Sequence, residues 1–163
     1  MNLIELAQAL PAPLVVFVMG MFPVTELQGA IIFGVTVLKM NPWLAFASGT
    51  LGSITMAMFL LLFLQRVTGF LRRHFKIFDR FFSWLFHRTQ VKYSKGISEL
   101  GHFALFTYIA IPTPGSGGWT GSLIAYLFGI PRKKAAWILS LGLIVTGLIV
   151  MFGTEGVMWA IKA

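Results

Sequence analysis

The 163-residue chain contains no cysteine. That absence excludes disulfides, thiolate metal ligands and a cysteine nucleophile. Acids are nearly as scarce: five Asp or Glu stand against thirteen Lys or Arg, and charged residues of both signs make up only 11% of the chain. Soluble domains carry about 25%. The few acids and three histidines form no Ser-His-acid set and no metal-ligand pair at helical spacing, so neither catalysis nor a cofactor or metal is expected. The Lys-Ser/Thr ending of a phosphate-binding P-loop is also missing. The opening MNLIELAQALPAP has no basic residue and carries Glu5, so it does not read as a secretory signal, and no lipidation motif appears.

What the chain has in quantity is apolar sequence, 57% of its residues. Trp43–Leu64 and Ala135–Thr154 carry no charge at all. Each has the roughly 20 residues that span a ~30 Å hydrocarbon core as a helix. An all-α integral membrane protein is expected. The net charge of +8 does not point to nucleic acid, because the basic residues sit between apolar segments, where they set topology and meet anionic lipid head groups.

Two further apolar runs are interrupted. Leu6–Leu38 has Glu26 as its only charge and is broken by FPVTELQGA at 22–30; Leu100–Pro131 has none and is broken by IPTPGSGGWTGS at 111–122. Each is followed by basic residues and then by an uncharged span. A single helix of about 32 residues would reach about 48 Å, and a Pro-Gly cluster would break it in any case. Two half-helices joined by a turn fit better.

Charge decides whether they cross or turn back. Residues 65–99 hold eight Lys or Arg, and Arg132, Lys133 and Lys134 add three; Lys39 and Lys162 are the other two. Both clusters face the cytoplasm only if Leu100–Pro131 turns back, as the positive-inside rule favours. The expected fold is an inverted repeat of two units, each a re-entrant hairpin followed by a transmembrane helix. Repeat 1 covers 1–64 (hairpin about 6–38, helix about 43–64). A basic amphipathic cytoplasmic linker covers 65–99. Repeat 2 covers 100–163 (hairpin about 100–131, helix about 135–154). Inverted repeats with broken helices meeting near midplane are a transporter signature.

In the linker, Phe70, Phe75, Phe78, Phe82 and Leu85 recur at helical spacing. Arg72, Arg73, Lys76 and Arg80 fall between them and are the expected contacts to anionic lipid head groups; a helix packed on the protein's own base is the alternative. Ala45, Gly49, Ser53 and Ala57, spaced by four, form a ridge that admits a close neighbour. That neighbour could be the other repeat or a second subunit, so a homo-oligomer is left open.

Glu26 is the one acid inside an apolar run. A charge at membrane depth is costly, and a proton or cation relieves the cost, so Glu26 is the expected coupling residue; a structural carboxyl bonded to freed amides is the alternative. Thr25, Gln28 and Gly29 flank it. In the second break, Pro112, Pro114, Gly115, Gly117, Gly118 and Gly121 free backbone groups, while Ser116, Trp119 and Thr120 line the site. Amides at a half-helix start favour an anion and unwound carbonyls a cation; the residues leave both open.

At these two breaks the chain resembles the small multidrug export protein family, itself similar to the wider DedA (VTT-domain) membrane proteins. The stretches that carry the resemblance are ELQGA at 26–30 and PTPGSGGWTG at 112–121, and the order of elements extends it over most of the chain. The resemblance implies a multi-pass protein of the bacterial inner membrane with two hairpins facing each other. For the wider group it implies lipid translocation, including undecaprenyl phosphate recycling, often linked to the proton motive force. Members commonly read ELRGAIP; here Gln28 stands for the Arg and Ile32 for the Pro, which removes an anion clamp. The expected activity is a secondary transporter or flippase for a small amphipathic or lipid-like substrate, coupled to protons. Passive lipid scrambling and a purely structural or assembly role are the alternatives.

Overall fold

The computed structural model describes residues 10–74 and 95–162. They form six helices: α1 (Ala12–Met21), α2 (Glu26–Thr36), α3 (Pro42–His74), α4 (Lys95–Ala110), α5 (Gly118–Leu127) and α6 (Arg132–Lys162). Among the described residues there is no strand. Each half has one order: a short helix, a break, a short helix, then a long helix. Within the two long helices, Pro42–Thr68 and Arg132–Ile161 are apolar enough and long enough to cross a membrane.

Local chemistry sets the boundaries. Proline is tolerated in the first turn of a helix, where its missing N–H has no partner to lose. Pro13 accordingly sits in the first turn of α1 and Pro42 opens α3. The Asn41 side chain accepts a hydrogen bond from the Trp43 amide at 2.9 Å, closing the α3 start. At the far end of α5, Gly129 takes φ 65° and Ile130 N–H bonds Ala125 C=O at 3.0 Å, a glycine stop followed by Pro131. The matching turn after α2 puts Lys39 at φ 51°. Both long helices exceed the expected spans: α3 continues past residue 64 to His74, and α6 starts at Arg132 and runs to Lys162. Charged residues mark where a helix leaves an apolar medium; they do not end it.

The long helices run antiparallel. The Trp43 and Phe152 rings lie edge to face at 6.0 Å, and Gly147 lies against Phe46 and Thr50. Each pair of short helices folds back on itself. Val16 lies against Gly34 while Phe22 C=O accepts from Glu26 N–H at 2.8 Å. Ile109 lies against Gly121, and Gly101 and Leu105 share a groove with Ile124 and Phe128. The two pairs open toward opposite ends of α3: Gly34 sits at Ala45, whereas Leu123 sits with Leu60 and Leu64.

The ridge of small residues on α3 is occupied by this chain's own helices. Ala45 receives Gly34, Gly49 receives Gly20, and Gly118 rests on Ser53 and Ala57. A Cβ on Gly20 would come 2.5 Å from the Gly49 carbonyl oxygen, and one on Gly52 only 2.0 Å from that of Phe17. Only glycine allows backbones this close, and such contact holds helices together where lipid removes the hydrophobic drive. Leu27, Ile31, Leu139, Leu143 and Met151 fill the centre. Leu51, Phe59 and Phe63 of α3 and Leu141, Ile149 and Phe152 of α6 face outward, as expected of lipid-facing surfaces.

Of the expected lipid head-group contacts, Arg72 and Arg73 lie in the last turns of α3. Lys76 and Arg80, with most of the amphipathic stretch 69–88, lie outside the described residues.

Candidate functional site at the two helix breaks

Breaking a helix leaves carbonyls at the end of the first half and amides at the start of the second. Inside a membrane each needs a protein partner. At the end of α1, Met19 C=O accepts from Phe22 N–H and from the Thr25 hydroxyl. Gly20 C=O accepts from the Ser53 hydroxyl at 2.7 Å, and Met21 C=O from the Trp119 indole at 2.8 Å. At the end of α4, Ile109 C=O accepts from the Thr146 hydroxyl. In both halves, then, a hydroxyl of the long helix holds the penultimate carbonyl of the first short helix.

The second break is a tight turn. Ser116 N–H closes Thr113–Ser116 onto Thr113 C=O at 3.0 Å. Pro114 and Gly115 (φ 86°) stand at its corners, where a fixed negative φ and then a positive φ are favoured. The buried Ser116 hydroxyl is engaged by its own loop, donating toward Ile111 and Thr113 carbonyls, both at 2.8 Å.

Glu26, the first residue of α2, is 8% exposed. Its carboxyl lies against Gly117 and faces the backbone amides of Gly115 and Gly117. Gly117 caps the start of α5, so the carboxyl also meets the positive end of that helix dipole. The fit is close: a Cβ on Gly117 would lie 2.6 Å from a Glu26 oxygen. Glu26 takes φ 46°, a left-handed conformation that costs a non-glycine residue about 1–2 kcal/mol. Such strain persists only where the surrounding structure holds it in place. Two more bonds join the breaks: Gln28 Nε2 to Thr113 C=O at 2.9 Å, and the Trp119 indole to Met21.

The level of this contact can be read along the long helices. Gly118 rests between Ser53, Ala57 and Leu143. Ser53 lies about 16 Å along α3 from Pro42, and Leu143 about 16 Å along α6 from Arg132. Two grooves lie on opposite sides of that level. One, of about 480 Å³, is lined by Gln28 and Thr36 of α2, Pro112, and Gly153, Thr154 and Val157 of α6. The other, of about 340 Å³, is lined by Leu60 and Leu64 of α3 with Trp119, Thr120 and Leu123 of α5.

The family model described as "Putative small multi-drug export protein" matches residues 26–149. The chain belongs to this family. The matched segment starts at Glu26, contains the whole second break and omits α1 and the end of α6. No curated protein and no solved structure matches the chain. Family and apolar helices together indicate a membrane-associated protein of the transporter type.

The expected site residues of this exporter-family chain divide by what they touch. The Glu26 carboxyl packs on Gly117 and faces the Gly115 amide. Gln28 and Pro112 line the larger groove; Trp119 and Thr120 line the smaller. Thr25, Ser116 and the Trp119 indole hold backbone of the breaks. Gly118 and Gly121 are buried packing positions against α3, and against Ile109 and Leu139, respectively. Gly29 is half-buried on α2, and Pro114 is exposed at the turn. Ile32, Thr36 and the α6 residues from Val150 to Ile161 were absent from the sequence expectation. The signal that could have found them is the G-x-x-G spacing of Gly153 and Gly156, where an added Cβ would meet nothing within 4 Å. Among the described residues no group of His, Cys, Asp or Glu could hold a metal ion.

Proposed function

We propose that the chain is a proton-coupled secondary transporter of small amphipathic molecules, without covalent chemistry, and that the contact between its two breaks is the gate. The observation that carries this reading is the Glu26 carboxyl packed on Gly117 and facing the Gly115 and Gly117 amides, with one groove on either side of it. The hairpins are re-entrant and the halves an inverted repeat. About 16 Å along each long helix is then close to the middle of a ~30 Å core.

Charged acceptors form hydrogen bonds roughly twice as strong as neutral ones. An ionised Glu26 therefore holds the breaks together, and a proton on it weakens the hold. Proton binding loosens the junction between the grooves and lets substrate pass from one to the other. The amide cradle is already filled by this chain's own carboxyl, which favours a proton, rather than an external phosphate, as the species that acts there. The positive-inside rule sets the basic segment in the cytoplasm and the larger groove toward the outside.

The test is transport in proteoliposomes with an imposed pH gradient, comparing wild type with Glu26→Gln. Loss of substrate-driven proton movement in a variant that stays folded is expected. Unchanged coupling would remove Glu26 from the mechanism. Passive scrambling predicts equal dithionite bleaching of labelled lipid in both proteins with no gradient. A purely structural role predicts lowered stability of the variant and no transport by the wild type.

A further inference from the structure

The hydrogen-bonding character of the larger groove specifies its ligand. The Thr36 hydroxyl donates to Ile32 C=O and the Thr154 hydroxyl to Val150 C=O, both at 2.7 Å within their own helices. Each hydroxyl hydrogen is engaged, and each oxygen keeps acceptor capacity. Gln28 bonds the Thr113 carbonyl. A carbonyl can only accept, so the amide nitrogen must face it. Gln28 Oε1 has no partner among the described residues. Pro112 has no N–H and adds a carbonyl. Among the described residues the groove thus presents acceptors, with the second Gln28 N–H as the one unengaged side-chain donor and no Lys, Arg or His in the lining. The remaining lining is apolar, including Ile32, Val157 and Met158. A volume of about 480 Å³ falls in the range of small-molecule pockets.

We infer that this groove binds an amphipathic amine, an alkyl chain bearing an N–H donor head, in preference to any amphipathic anion. The alkyl chain lies along the α2 and α6 side chains, and the N–H groups point to Gln28 Oε1 and the threonine oxygens. A phosphate, sulfate or carboxylate head would find one amide N–H and several lone pairs of its own sign. This inference rests on the transporter reading and names its substrate class.

The chain's lack of cysteine supplies a direct assay. Gly153→Cys places a thiol in open space at the groove. In nanodiscs, modification of that thiol by a methanethiosulfonate reagent is timed with dodecylamine, dodecyltrimethylammonium or dodecyl sulfate at equal membrane mole fraction. Dodecylamine is expected to slow modification about tenfold more than the other two, the worth of one charge-assisted hydrogen bond. Adding Thr154→Val or Gln28→Leu should remove most of that advantage. Thr154→Val breaks no contact between elements, so it keeps the test valid if Gln28→Leu fails to fold. Equal protection by all three probes would mean a bare acyl groove and overturn the inference, as would no protection or preference for the sulfate. The assay measures binding alone: protection without coupled transport would sink the transporter reading, and coupled transport without protection would sink this inference.

Discussion

Gly117→Ala separates the proposed gate from the fold. Gly117 has φ −84° and ψ −167°, an extended conformation open to any residue, so alanine brings no backbone strain. What alanine meets is Glu26: the new Cβ would lie 2.6 Å from a carboxyl oxygen, where ordinary contact begins at 3.4 Å. The carboxyl is the far end of a flexible side chain, so it retreats by about 0.8 Å and the helices stay in place. That retreat carries the carboxyl away from the Gly117 amide it faces and weakens the polar contact there. Each charge-assisted bond lost is worth about 1.5–3 kcal/mol, a weakening of the junction of about tenfold or more. The expected result is transport uncoupled to the same degree as Glu26→Gln, with a melting temperature in detergent lowered no further than the weakened contact accounts for, a few degrees per kcal/mol. Shortening the acid by one methylene makes room again, so Glu26→Asp combined with Gly117→Ala should recover part of the coupling that either change alone removes. Wild-type coupling in Gly117→Ala, or a loss fully explained by unfolding, would refute the reasoning.

Five further outcomes follow from packing, hydrogen bonding and backbone conformation, each read by thermal or denaturant unfolding in detergent. Gly52→Ala, whose Cβ meets a backbone oxygen at 2.0 Å, should destabilise by about 2–4 kcal/mol as α1 is pushed from α3; Gly153→Ala, with open space around it, should stabilise by up to about 1 kcal/mol through helix propensity. Ser53→Ala orphans the Gly20 carbonyl and should cost about 1–3 kcal/mol, whereas Thr50→Val removes a buried hydroxyl oxygen that has no partner and should be neutral or stabilising by about 1 kcal/mol. Lys39→Gly releases an exposed left-handed residue (φ 51°) and should stabilise by about 1 kcal/mol.

The arrangement of the breaks was legible because it follows from quantities that sequence carries. Uncharged length and the Pro-Gly clusters lead to two pairs of short helices, each broken by a turn, and the turns meet at Glu26, Gln28 and Trp119. The ridge at Ala45, Gly49, Ser53 and Ala57 was legible as a close contact; its partners Gly20, Gly34 and Gly118 were not, because small residues announce proximity without direction. The partner of Glu26 was hidden for a different reason. It is backbone, and any residue supplies an amide; only the glycine that makes room for the carboxyl leaves a trace. The roles of Ser116 and Trp119 were equally hidden, since a hydroxyl or indole that holds a loop looks in sequence like one that awaits a ligand. The end of α6 went unnoticed because Val150 to Ile161 reads as the close of a spanning helix, and a groove exists only once α2 lies beside it.

The two breaks explain each other. An isolated broken helix in lipid would leave its carbonyls and amides without water or partner, at several kcal/mol for each group. Here the first break presents surplus acceptors, the carbonyls of α1 and the Glu26 carboxyl, and the second presents surplus donors, the Gly115 and Gly117 amides and the Trp119 indole. Gln28 reverses the sense once, donating to Thr113. In the proposed re-entrant arrangement neither hairpin lies at depth alone without orphaned groups, so each requires the other in place. Beside the helix packing that joins the halves, this junction is a handful of hydrogen bonds and, among the described residues, no ion pair. Only one of its acceptors, Glu26, can be switched by a proton; the rest are backbone carbonyls that keep their strength at any pH. Protonation therefore weakens the junction at one point while the Trp119 and Gln28 bonds persist. That is the behaviour required of a gate that must open without letting the fold come apart.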